Sequence, residues 1–235
     1  MFGELIDAVV DYHGDLVRNI AGIRVAQALF DDLSGDEADQ AVAVAAESAG
    51  RIPSAAPLLT RPFDYGAAIT YPFVPQNWHA TRFSDGLRYG VWYGSLALET
   101  TIYETVYHWH RFVTDSFPAE DRPIRGERRV FDVRCDAILV DLRGKERRHP
   151  QLVDRKDYGF GQRLGRYLKD QGQNGLLVRS ARCDGVNGAV LRPEVLSNPR
   201  NRCYLTYVLN PVEDRVVVER TPGRRWLVIR PSSLY

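Results

Sequence analysis

The chain has 235 residues, 44% of them hydrophobic and 26% charged, with a formal net charge of +1. That length can bury a substantial core. The near-zero charge gives no electrostatic footprint for direct nucleic-acid binding, and no apolar run approaches membrane-spanning length. Lysine is nearly absent and arginine carries almost all the positive charge. Cys135, Cys183 and Cys203 are odd in number and widely spaced, which reads as reduced thiols in a cytoplasmic protein rather than a disulfide framework or a zinc site.

In chain order, Phe2 to about Leu33 predicts a helix with a broad apolar face, including Leu5, Val9, Leu16, Ile20 and Phe30. Its acidic, amphipathic start is unlike a secretory signal. Ser34-Gly35-Asp36 is a turn, and an alanine-rich helix follows to about Ser48. Residues 1–50 are therefore expected to form a helical extension, suited to packing on the main domain or to meeting a partner. Residues 51–77 are a Pro-rich connection, because Pro53, Pro57 and Pro62 forbid a long regular element.

The richest stretch is 78–112. His79–Phe83 is expected as a short strand, Ser84-Asp85-Gly86 as a turn, and Tyr89–Tyr93 as a second strand. Ser95 has the chemistry of an N-cap for a helix from about Leu96 to Phe112. Leu98, Ile102, Val106, Trp109 and Val113 form its buried stripe at helical spacing. Glu104 lies nearly opposite, on a face with Thr101 and His108, where pattern alone allows a solvated carboxylate. Arg82, Tyr93 and Glu104 follow one another at intervals of eleven. His108 and His110 are two apart and have no obvious third ligand, so no metal site is expected.

Residues 117–126 read as a polar flap. Strands are expected at 128–135 and 138–142, a charged loop at 143–150 and a helix at 158–171. Leu176–Arg179 is a short buried strand that delivers Ser180. Further strands are expected at 188–192, 202–209, 215–219 and 225–229, the last two as a hairpin.

Four pieces taken together resemble the core of the RES family, named for an Arg, a Glu and a Ser. They are Arg82-Phe83 before the Gly-containing turn, Val91-Trp92-Tyr93 before a small residue, Thr100-Thr101-Ile102-Tyr103-Glu104, and Ser180 after an apolar strand with Gly185-Val186-Asn187 behind it. The resemblance spans about 78 to 210. It implies the ADP-ribosyltransferase fold, NAD as a substrate, and a toxin paired with an Xre-type antitoxin. It also implies that Arg82, Tyr93, Glu104 and Ser180 line an NAD pocket.

The residue chemistry is compatible with that role. Cleaving the nicotinamide–ribose bond builds positive charge at the anomeric carbon, which a carboxylate such as Glu104 stabilises. A diphosphate suits the planar, bidentate guanidinium of Arg82. Flat cationic nicotinamide suits the ring of Tyr93, and Ser180 can donate to a phosphate or ribose oxygen. The expected fold is α+β: a bent, mostly antiparallel β core over 78–235 with the helical extension attached. The expected activity is NAD cleavage with water or phosphate as acceptor. The alternatives are mono-ADP-ribosylation of a protein, and a module that binds NAD or a partner without catalysis. Oligomeric state and the identity of any protein target are not encoded in a readable way.

Overall fold

The computed structural model describes residues 2–22 and 66–235. The expected second helix, and the prolines of the connection up to residue 65, lie outside the described residues. The main elements are β1 (Val9–Ala21), α1 (Ala67–Thr70), β2 (Trp92–Ser95), α2 (Leu98–Ser116), β3 (Ile124–Asp141), α3 (Gly159–Asp170), β4 (Gly175–Arg179), β5 (Val186–Val190), β6 (Leu196–Asn210), β7 (Arg215–Thr221) and β8 (Arg224–Ile229). Short 3-10 turns join several of them.

The strands form an eight-stranded sheet in the order β1-β2-β5-β4-β3-β6-β7-β8, with β1 also paired to β3. Strands β1, β2, β5, β4 and β3 therefore close on themselves, and β6, β7 and β8 continue outward from β3. Every pairing is antiparallel except β3 with β4. The bent, mostly antiparallel β core expected from the sequence is thus present, and closure removes exposed edges from that part of the sheet.

The N-terminal reading needs correction. Residues 9–21 are not helical but a 13-residue strand in the heart of the sheet. Their burial alternates, with Val10, Tyr12, Gly14 and Leu16 turned inward relative to Asp11, His13 and Asp15. That two-residue period is the signature of a half-buried strand. β1 pairs with β3 along its whole length, from Val9 opposite Val140 to Ala21 opposite Arg128. On the exposed face, Asp136 of β3 is held by Arg134 and by His13 across the pair, which brings its carboxyl down to about 2.

Other boundaries also move. The expected strand at 79–83 is reduced to a single bridge, Thr81 with Ser84. Gly94 and Ser95 do not end the second strand but belong to it. Ser95 does not cap α2, since Ala97 holds that position without a side-chain bond. The two strands expected at 128–142 are one continuous β3, and the C-terminal hairpin forms as β7 and β8.

Two helices cover the sheet. α2 buries Leu98, Ile102, Val106 and Val113 against Val130, Leu205, Tyr207 and Val216. Ile102 and Val106 are fully buried, each contributing about 1.5–3 kcal/mol of apolar transfer. α3 buries Leu164 and Leu168 against Phe83, Val91, Leu176 and Val178. A third cluster joins Leu16, Trp92, Phe131, Leu139 and Val190, and the Trp92 indole donates to the Ala68 carbonyl at 2.8 Å. Among the described residues, no helix is long and apolar enough to cross a membrane.

Candidate active site

A cleft of about 450 Å³ opens between α2, β1, β2 and the segment around residues 79–83. That is an ordinary size for a small-molecule site. Arg82, Tyr93 and Glu104 all line it, together with Arg18, His108, Tyr158 and Asn187. The non-apolar face of α2 is therefore turned toward a cavity rather than toward bulk water.

Glu104 is half-buried and strongly oriented. Its Oε1 accepts a bond from the Ser180 hydroxyl at 2.6 Å and another from the Asn187 amide at 2.6 Å. Asn187 is fixed in turn, because its Oδ1 accepts the Ser95 hydroxyl at 2.6 Å. Both bonds fall on one carboxylate oxygen. Among the described residues the other takes no hydrogen bond from protein and is available to a ligand.

Ser180 stands just beyond β4, where the chain turns. Its hydroxyl oxygen accepts the backbone N–H groups of Arg182 (3.0 Å) and Cys183 (3.3 Å), while its proton goes to Glu104. Ser180 is buried and is absent from the cleft wall, so the structure places it behind Glu104. Its neighbour Arg182 is buried over the Tyr107 ring and donates to the carbonyls of Leu234 and Arg155, fixing this turn to the C-terminal segment.

Tyr93 presents its ring to the cleft and spends its hydroxyl on structure. The hydroxyl donates to Thr81 Oγ1 at 2.9 Å and accepts the Phe83 N–H at 3.1 Å. Burial pushes its pKa up to about 12. The Arg82 guanidinium lies over the Tyr158 ring, and its Nη1 donates to the carbonyls of Leu152 and Asp154. No carboxylate among the described residues lies within ion-pair distance of it, although its charge helps to lower the Asp154 pKa.

Sequence reasoning missed the contribution of β1. Arg18 lines the cleft, stacks over Trp92 at 5.1 Å, and donates from Nη1 to the Tyr93 carbonyl at 2.7 Å. Its buried Nε has no hydrogen-bond partner among the described residues. Burial, with Arg128 nearby, lowers its pKa to about 10, which leaves it charged at neutral pH. Next to it, Asn19 donates to the hydroxyls of Tyr207 and Thr105 and ties β1 to the helix bearing Glu104. The signal was the alternation from Val10 to Leu16, which marks a strand. Among the described residues, no cluster of three or more His, Cys, Asp or Glu side chains is placed to hold a metal ion.

The cleft thus brings a helix carboxylate, held by a serine and an asparagine, together with two arginines that have no carboxylate within ion-pair distance among the described residues. The RES domain family model matches residues 50–210, and the chain belongs to that family. No curated protein matches. Among solved structures, the chain is similar to one chain of the M. tuberculosis MbcT–MbcA toxin–antitoxin complex, at 15% identity and a TM-score of 0.48, covering 89% of this chain and 92% of that one.

Proposed function

We propose that the chain cleaves NAD at the nicotinamide–ribose bond, transfers ADP-ribose to water or phosphate, and acts as the toxin of a toxin–antitoxin pair. The observation that carries this reading is Glu104, held through one oxygen by Ser180 and Asn187 in a cleft that Arg82 also lines. Membership of the RES family supports it.

In this reading Arg82 and Arg18 hold the diphosphate, since two guanidinium groups with no carboxylate within ion-pair distance among the described residues attract a dianionic linker. The Tyr93 ring provides a wall for nicotinamide. The free oxygen of Glu104 holds the ribose hydroxyls and stabilises the cation that develops at the anomeric carbon as nicotinamide leaves. Fixing the carboxylate before substrate arrives avoids reorganisation in the transition state. The expected partner is an Xre-type antitoxin that blocks the cleft.

The test is product analysis with the purified chain and NAD, with and without phosphate, and with a cell lysate. Free nicotinamide with ADP-ribose, or with its phosphorylated form, supports the proposal. Nicotinamide release only with lysate, with a protein gaining an ADP-ribose mass, moves the assignment to protein modification. Glu104→Ala is expected to lose turnover by at least about 100-fold while remaining folded, and to relieve growth arrest on expression. Wild-type cleavage by that variant would sink the mechanism.

A further inference from the structure

His108 follows Glu104 by one helical turn, so both side chains project from the same side of α2. It lines the cleft that holds Glu104, Arg82 and Tyr93. It also lines a second cavity, of about 740 Å³, where Trp109, Phe112 and Arg128 form much of the wall. His108 and Thr105 are the residues of α2 common to both spaces. The Thr105 hydroxyl is committed to the Thr101 carbonyl and the Tyr207 hydroxyl. The His108 residue keeps an exposed surface, its imidazole meets the Tyr107 ring edge-on at 5.0 Å, and no hydrogen bond holds it among the described residues.

With no hydrogen bond to hold it, the imidazole reaches two cavities beside the carboxylate assigned to the donor sugar. We propose that His108 is the general base for the acceptor, positioned where the donor cleft meets the second cavity. The inference rests on the NAD-cleaving reading of the same site. The acceptor that calls for this base is water. Its proton passes to an imidazole nitrogen as its oxygen forms the new bond to the anomeric carbon. The bond from that carbon to the nicotinamide nitrogen breaks, and its electron pair leaves with neutral nicotinamide.

The surroundings favour a base over an acid. Partial removal from bulk water lowers the His108 pKa, and Arg182, Arg82 and Arg111 add to this, against the opposing influence of Glu104. Arg128 and Glu127 line the second cavity beside it. The imidazole is therefore neutral at neutral pH and has a lone pair to accept the proton.

The experiment compares the full-length wild type, His108→Gln and Glu104→Gln for nicotinamide release from NAD across pH, in water, with phosphate and with azide. Azide is already an anionic nucleophile and needs no base. His108→Gln is expected to lose about 100-fold in kcat with little change in KM for NAD. Azide is expected to restore its turnover and yield an azide adduct of ADP-ribose by mass spectrometry, but not to restore Glu104→Gln. In the wild type, activity falls as pH drops through the lowered His108 pKa, and His108→Gln lacks that limb. A wild-type rate independent of added phosphate supports water as the acceptor that His108 deprotonates, whereas a wild-type rate that depends on phosphate overturns the inference, since hydrogen phosphate is already anionic and needs no base. Undiminished kcat in His108→Gln overturns the inference, as does a folded, impaired variant that azide does not restore. If His108→Gln does not fold, a wild type without an acidic limb overturns it instead. A wild type that releases no nicotinamide at all defeats the NAD-cleaving reading first, and this inference with it.

Discussion

Gly165→Ala tests how tightly the site depends on the packing of α3. Gly161 and Gly165 lie one turn apart on the helix face that meets the backbone of Arg82 and Phe83. A Cβ built at Gly165 would stand 2.0 Å from the Phe83 carbonyl oxygen, and one at Gly161 would stand 2.4 Å from that of Arg82. Real Cβ atoms essentially never come closer than 3.0 Å, so helix and loop must separate by about 1 Å. The helix cannot simply tilt away, because Leu164 and Leu168 are fully buried beside the glycines. Overpacking of this kind costs about 1–3 kcal/mol. Alanine returns about 1 kcal/mol of helix propensity over glycine. The net loss is therefore about 0–2 kcal/mol, or a fall in melting temperature of no more than about 8 °C. The catalytic effect should be far larger. Phe83 N–H is bonded to the Tyr93 hydroxyl and Arg82 is anchored to the Leu152 and Asp154 carbonyls, so the loop cannot move without disturbing the cleft wall. A displacement of about 1 Å can cost 100-fold in rate. The assay is nicotinamide release with a parallel thermal melt, and Gly3→Ala, which would meet nothing within 4 Å, is the control. Gly165→Ala with wild-type kcat/KM would refute the argument.

Two further outcomes follow from the same geometry. Ser180→Ala removes a charge-assisted bond to Glu104, worth about 1.5–3 kcal/mol, so kcat should fall by roughly 10- to 100-fold with KM for NAD nearly unchanged. A rise in KM alone would mean that Ser180 contacts substrate directly. Arg18→Met keeps the stem packed against Trp92 but deletes a cleft charge; titration calorimetry on a Glu104→Ala background should show NAD binding weakened by about tenfold or more, and unchanged affinity would remove Arg18 from the site.

The parts of the fold legible in the sequence were those governed by local pattern. The α2 stripe from Leu98 to Val113, the helix ending before Gly172 and the Pro222-Gly223 turn between β7 and β8 each follow from neighbours a few residues apart. β1 was obscured because apolar residues beyond Leu16 thickened the pattern until it passed for a helix face. β3 read as two strands because Asp136 interrupts an apolar run, although it is an outward position satisfied by Arg134 and His13. Arg82, Tyr93 and Glu104 could be named from the family resemblance, since pattern alone allowed a solvated Glu104, and the structure brings all three to one cleft. The place of Ser180 behind the carboxylate, and the entry of Arg18 from the opposite end of the chain, depend on strand neighbours that no local pattern encodes.

The pairing of β1 with β3 also constrains how the molecule comes to exist. Its partners are separated by 107 residues at Ala21 with Arg128 and by 131 at Val9 with Val140. Chains dominated by such distant pairings fold slowly, because loop entropy is lost before the contacts that repay it are formed. During synthesis β1 emerges early and must wait, unpaired, until β3 has left the ribosome. Ser180 and Asn187 are made later still, and Leu234, whose carbonyl accepts from Arg182, later again. Glu104 therefore lacks both of its anchors until the chain beyond Asn187 has been made.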